Sequence, residues 1–184
     1  MDNPLQYESI RVWDRFVRFF HWSLVSCVAA NLLLLEEGDP PHRWAGYLAA
    51  GLVLMRIVWG FVGSRHARFA DFFPTPARLA VHWRLLREGR DDPHPGHNPL
   101  GALMMLALMG LVLALGVTGY LMGADAYWGE EWLEELHEGL ANALMACAGL
   151  HVLGALAMSR LSGVNLVRAM VTGVKARPVR RDSR

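Results

Sequence analysis

No aspartate or glutamate occurs in any of the four long apolar stretches of this 184-residue chain. Phe19–Leu35, Asn98–Ala124 and Gly139–Ser159 carry no formal charge, and Trp44–Ser64 carries one, Arg56. This weighs against a membrane metal transporter using histidines as transient sites, because such a path needs polar carboxylates inside the bilayer. Cysteine is equally scarce. Cys27 and Cys147 each stand alone in an apolar run, form neither a CxxCH attachment motif nor a zinc pattern, and read as small packing residues rather than a disulfide framework. Internal repeats and low-complexity segments are absent.

What remains is apolar: 53% of residues are hydrophobic and 19% charged. The four runs are 17–27 residues long, enough to cross a hydrocarbon core of about 30 Å as helices. The expected fold is an all-α integral membrane four-helix bundle, with residues 1–177 as one four-span domain and 178–184 as a basic C-terminal tail. The first run is too long for a cleavable signal peptide and has no small-residue cleavage site before Glu36 and Glu37.

The net charge of +1 hides a strong asymmetry. Arg11, Arg15 and Arg18 precede the first span; Arg65, Arg68, Arg78, Arg84, Arg87 and Arg90 follow the second; Arg160, Arg168, Lys175, Arg177, Arg180, Arg181 and Arg184 follow the fourth. The other two connections hold one base, Arg43, against nine acids: Glu36, Glu37, Asp39, Asp125, Glu130, Glu131, Glu134, Glu135 and Glu138. The positive-inside rule places both termini and the long middle loop in the cytoplasm. The expected location is the bacterial cytoplasmic (inner) membrane, and no nucleic-acid partner is expected.

Along the chain, residues 1–14 read as a lead-in and 16–35 as span one. Pro41 suits the start of span two, which ends near Gly63. Residues 76–89 put Leu79, Trp83 and Leu86 on one helical face and arginines on the other, as in a helix lying on a membrane surface. Asn98-Pro99 opens span three. Trp128 and Trp132 read as interface anchors before span four, which is expected from about residue 135. Residues 163–173 read as a second surface helix, and 177–184 as unstructured.

Four histidines carry the chemistry. His137 and His151 are fourteen residues apart, close to four helical turns, so both rings leave one face about 21 Å apart along the axis. With the orientation above, His21 and His151 fall near the cytoplasmic surface, and His42 and His137 near the outer one. Only the pairs His21/His151 and His42/His137 match in depth. Imidazoles facing each other from bundle helices suit the two axial positions of a haem iron, so the set reads as a frame for two stacked, non-covalent b haems.

Arg56 lies fourteen residues after His42, on the same face and at the level of the inner pair. A buried arginine needs a partner, and a haem propionate suits a guanidinium; the alternative is a side chain snorkelling to the surface. His97 is a secondary candidate for a propionate or quinone contact, or a helix cap. His66, His82 and His94 read as solvated. Gly116, Gly119, Gly149 and Gly154 read as points of close approach by helices or porphyrins, and Thr118 and Tyr120, near the outer end of span three, as packing residues in preference to the lining of a pocket.

Several of these pieces also resemble the prokaryotic cytochrome b561 family, related to the cytochrome b subunit of nickel–iron hydrogenases. They are Val12-Trp13-Asp14-Arg15-Phe16 through Phe20-His21-Trp22, His42-Arg43-Trp44-Ala45-Gly46-Tyr47, Arg56–Ser64, Gly96–Gly101, Leu136-His137-Glu138 with His151, and Asn165–Met170. Together they cover roughly residues 10–177. The resemblance implies a four-helix bundle with two b haems that passes electrons between a redox partner and membrane quinone, ubiquinone or menaquinone. A related group oxidises superoxide and reduces ubiquinone, which is the alternative reading. The acidic outer surface should repel superoxide and attract a basic c-type cytochrome or an oxidoreductase subunit, favouring transfer to or from a protein partner.

Overall fold

The computed structural model describes residues 7–90, 94 and 96–178. Four helices are long and apolar enough to cross a membrane: α1 (Arg15–Leu33), α2 (Pro40–Val62), α5 (Pro99–Leu121) and α6 (Glu131–Ser162). Short helices fill the connections: α3 (Phe69–Phe72), α4 (Pro76–Arg87) and α7 (Leu166–Thr172).

The helix starts follow local chemistry. The Asp14 carboxylate accepts from the Val17 amide at 2.8 Å and caps α1. Asn98 caps α5 through the Gly101 amide at 2.7 Å, with Pro99 in the first turn, and Thr75 and Asn165 cap α4 and α7 in the same way. Each side chain satisfies an amide that has no partner within its helix. Helix α6 ends at Gly163, whose φ of +67° is a left-handed conformation that costs glycine little. It begins at Glu131, earlier than the expected 135. Its 32 residues span about 48 Å, well beyond a hydrocarbon core of about 30 Å. The acidic first turns are outside the apolar run but still helical.

The long helices pack in sequence order, α1 on α2, α2 on α5, and α5 on α6. Phe20, Cys27, Ala49, Leu52, Val53, Met109, Val112 and Leu144 form the buried centre. Cys27 is therefore a packing residue, and both thiols are free. Large side chains such as Phe19, Leu54, Val58, Val117 and Leu153 point outward. In water such a surface would be unfavourable, whereas lipid tails receive it at little cost.

One end of the bundle gathers elements that lie far apart in the chain. Strand β1 (Tyr7–Arg11) pairs antiparallel with β2 (Val174–Pro178), with Arg11 opposite Val174. The amides of Val12 and Trp13 both donate to the Gly173 carbonyl, at 2.9 and 3.1 Å. Gly173 has φ +84°, and a Cβ there would lie 2.6 Å from the Trp13 carbonyl oxygen, so both the turn and the approach require glycine. The expectation that 177–184 is unstructured is thus corrected at its first two residues: the ribbon runs through Arg177 and Pro178. The rest of the expected tail, 179–184, lies outside the described residues. Val12, Trp13, Val17, Ala67 and Ala169 form a second buried cluster beneath the ribbon, and Arg18 ties α1 to α7 by donating to the Val171 carbonyl at 2.7 Å.

Candidate functional site

Helix α6 packs on α5, yet its histidines reach the opposite pair of helices. The rings of His21 on α1 and His151 on α6 have centroids 6.4 Å apart, and those of His42 on α2 and His137 on α6 are also 6.4 Å apart. His21 and His151 lie toward the arginine-rich ribbon end, and His42 and His137 toward the acidic end. The two matched pairs read from the sequence are therefore brought together in space.

The spacing has chemical content. A metal–imidazole bond is about 2 Å, and a ring nitrogen lies about 1.1 Å from its centroid, so two imidazoles on opposite sides of one iron stand about 6 Å apart. Nδ1 of His21 and Nδ1 of His42 are buried without hydrogen-bond partners. Nδ1 of His137 lies 2.7 Å from the Thr118 hydroxyl, which can donate in turn to the Ala114 carbonyl at 3.0 Å. With the hydroxyl proton on Ala114, Thr118 accepts from Nδ1–H and leaves the Nε2 lone pair for a metal. Sequence reading assigned Thr118 to packing. Its position nineteen residues before His137, across the α5–α6 connection, gave no sign that the two meet.

Gly119 lets the His137 ring close in: a Cβ there would stand 3.3 Å from the ring carbon Cε1. Gly116 lies against α2, where a Cβ would meet Ala50 at 2.9 Å. Gly149 and Gly154 have nothing within 4 Å of an added Cβ, so no helix makes the expected close approach there. The paired rings and the unpartnered nitrogens of His21 and His42 fit a flat tetrapyrrole held between α6 and the α1–α2 pair.

Arg56 is 1% exposed, which removes the snorkelling alternative. Its Nη2 donates to the Ala67 carbonyl at 3.0 Å, its guanidinium lies 5.5 Å from the Phe69 ring centre, and Nη1 is buried without a partner. One side of a buried cation is thus unsatisfied, which fits a carboxylate ligand. His97 is nearby at the mouth of α5, stacked between Trp13 at 4.6 Å and Phe72 at 4.9 Å, with Nδ1 unpartnered. Burial, reinforced by the charges of Arg56 and Lys175, pushes its imidazole down to about 3, so it is neutral at ordinary pH.

Asp14 joins the first two spans. Besides capping α1 it accepts from the Trp59 indole at 2.9 Å and from the Ser64 hydroxyl. Burial pushes its carboxyl upward, but the bonds from Ser64, Val17 and Trp59 together hold it below the usual carboxylate value. Sequence reading quoted Asp14 within a motif without giving it this role. The expected solvated histidines are corrected too. His82 is 1% exposed, because α4 packs against α5 and so has a covered side. His66 is largely buried and bonded to Asp71 at 3.0 Å, and His94 Nε2 lies 3.4 Å from the same carboxylate. Trp128 and Trp132 are exposed near the start of α6, as interface anchors should be.

A four-span helical bundle with facing histidines at two levels defines a class of membrane electron carriers. Residues 12–173 match the family model described as prokaryotic cytochrome b561, and the chain belongs to that family of membrane b-haem electron-transfer proteins. A probable Ni/Fe-hydrogenase B-type cytochrome subunit of Azotobacter vinelandii is 34% identical over 104 residues, covering 52% of this chain and 43% of the relative. The corresponding probable hydrogenase 1 subunit of Escherichia coli K12 is 26% identical over 141 residues, covering 62% and 60%. That of Rhodobacter capsulatus is 24% identical over 213 residues, covering 90% and 80%. The match to the Azotobacter protein thus spans less than half of that relative's length. No solved structure matches the chain.

Proposed function

We propose that the protein holds two b haems and passes electrons between a redox partner and the membrane quinone pool. The carrying observation is the pair of histidine couples, each with centroids 6.4 Å apart, at opposite ends of the bundle. His42 and His137 hold the haem at the acidic end, and His21 and His151 the one at the arginine-rich end. A bound haem supplies one-electron exchange at its iron, while the protein sets ligands, spacing and a dry interior. Thr118 orients His137, and Arg56 receives a propionate through Nη1.

The arginine-rich end lies in the cytoplasm by the positive-inside rule, in the bacterial inner membrane. The acidic end faces outward and receives a protein partner with a basic surface. The relatives' names make a hydrogenase-like oxidoreductase subunit one candidate, and a small basic c-type cytochrome is another. The test is reconstitution in liposomes with the acidic end outward and a membrane-impermeant reductant outside. Reduction of a decyl-substituted quinone that requires all four histidines supports the proposal. A protein that takes up haem and reductant but never reacts with quinone overturns it.

A further inference from the structure

The acidic end of the bundle holds one base, Arg43, among nine acids. An arginine in such company ordinarily pairs with a neighbouring carboxylate. Glu36, Glu37 and Asp39 precede it by only a few residues, yet among the described residues no carboxylate lies within 4.0 Å of its guanidinium. The side chain leaves the first turn of α2 and lies instead over Gly123, just past the end of α5. A Cβ on Gly123 would stand 2.6 Å from Nη2 and 3.3 Å from Cζ of Arg43.

The strip of α5 that seats Arg43 is the one that holds His137. Thr118 bonds the His137 ring, and Gly119 lets that ring close in. Gly123 follows Gly119 by four residues. The turn between them stays closed, with the Met122 amide donating to the Thr118 carbonyl at 2.9 Å and the Gly123 amide to the Tyr120 carbonyl at 3.1 Å. Four residues are about one turn, so the guanidinium lies on the same side of α5 as the His137 ring, roughly 6 Å further toward the outer surface. His42 is the residue before Arg43, and its ring faces His137 at 6.4 Å. Arg43 therefore borders the His42/His137 couple on its outward side.

A b haem carries two propionate carboxylates on one edge of an apolar ring. The charged edge belongs at the polar surface and the rest in the interior. At this end the surface is already acidic, so two further carboxylates need a cation beside them. We infer that Arg43 receives a propionate of the haem at the acidic end, and through it sets how firmly that haem is held and how readily it is reduced. This rests on the two-haem reading above. A guanidinium grips a carboxylate through two parallel N–H bonds. Reduction adds one electron to the haem, and an adjoining cation favours it. Helix α2 then supplies an arginine to each haem, Arg56 buried at one end and Arg43 exposed at the other.

The experiment compares the haem-loaded wild type with Arg43→Leu, Arg43→Lys and Gly123→Ala, reading the release rate of each haem and a redox titration that resolves the two. Arg43→Leu is expected to release the acidic-end haem about tenfold faster and to lower its potential, with the other haem unchanged. Arg43→Lys keeps the charge and is expected to keep the potential. Gly123→Ala pushes the guanidinium aside, so it is expected to move both readouts the same way by less, and it decides alone if Arg43→Leu fails to fold. A further arm loads wild type and Arg43→Leu with haem whose propionates are methyl esters. That haem offers no carboxylate, so both proteins are expected to release it from the acidic end at equal rates. Native release and potential in Arg43→Leu and Gly123→Ala would overturn the assignment and leave the two-haem reading standing. So would a tenfold difference that persists with esterified haem, which would make Arg43 a structural cation or the site of a free anion. A wild type that holds no haem at the acidic end would overturn both.

Discussion

The Thr118 hydroxyl on α5 stands 2.7 Å from Nδ1 of His137 on α6. One hydrogen bond thus fixes the ring orientation of a candidate ligand from a neighbouring helix, and removal of such an outer partner typically weakens metal binding about 10–100-fold. Thr118→Val keeps the shape and removes the bond. It is expected to lower haem retention at the acidic end and leave the other haem in place. Haem-to-protein ratio after extended washing checks this, with the two haems resolved by redox titration.

Arg56→Leu is expected to shift the potential of the haem at the arginine-rich end more than that of the other. A propionate carboxylate loses its cationic partner in a low-dielectric interior, which disfavours its charged form. The Ala67 carbonyl also loses its donor, so some loss of thermal stability accompanies the shift. Redox titration separates the two effects. Equal shifts in both haems, or none, would leave Arg56 as a purely structural cation.

Asp14 makes a pH-dependent contribution to stability. Its carboxyl is held below the ordinary 3.8 in the folded protein, so its stabilisation is present above that value and is lost as pH falls through the lowered one. In Asp14→Asn the carboxylate is gone at every pH. The difference in apparent melting temperature between wild type and variant should be full from pH 5 to 7 and shrink below about pH 4. A gap that stays constant into acid would assign the effect to shape alone.

Charge at the acidic end predicts the behaviour of the partner reaction. Steering by Glu130, Glu131, Glu134 and Glu135 is screened by salt, so reaction with a basic c-type cytochrome should be fast at low ionic strength and slow several-fold toward roughly 0.5 M salt. Neutralising the four glutamates should weaken that dependence and speed any reaction with superoxide. Stopped-flow kinetics decide the matter. A wild type that consumes superoxide near the diffusion limit and ignores salt with cytochrome would make it a superoxide:quinone oxidoreductase.

Much of the architecture was legible because membrane helices announce themselves locally. Uncharged runs, prolines at first turns and the Asn98 cap placed the four spans, and the spacing of Leu79, Trp83 and Leu86 placed α4. The couples His21/His151 and His42/His137 followed from arginine counts and helical rise, neither of which needs tertiary information. The ribbon was not legible: β1 and β2 are five residues each, at opposite ends of the chain, and pair through backbone groups that any sequence supplies. The Thr118–His137 and Asp14–Trp59 bonds were hidden for a related reason, since each depends on how two helices are rotated against each other. His82 and Asp71 were misread or passed over because a loop rich in arginine looks solvated until its helices fold back on α5.

The most direct test of the account is a redox titration of purified protein with its haem-to-protein ratio, on wild type, His151→Ala and His137→Ala. Two low-spin, six-coordinate b haems are expected per wild-type chain, with His151→Ala losing the haem at the arginine-rich end and His137→Ala the haem at the acidic end. A wild type that binds a single haem, or variants that each keep both, would contradict the pairing on which the account rests.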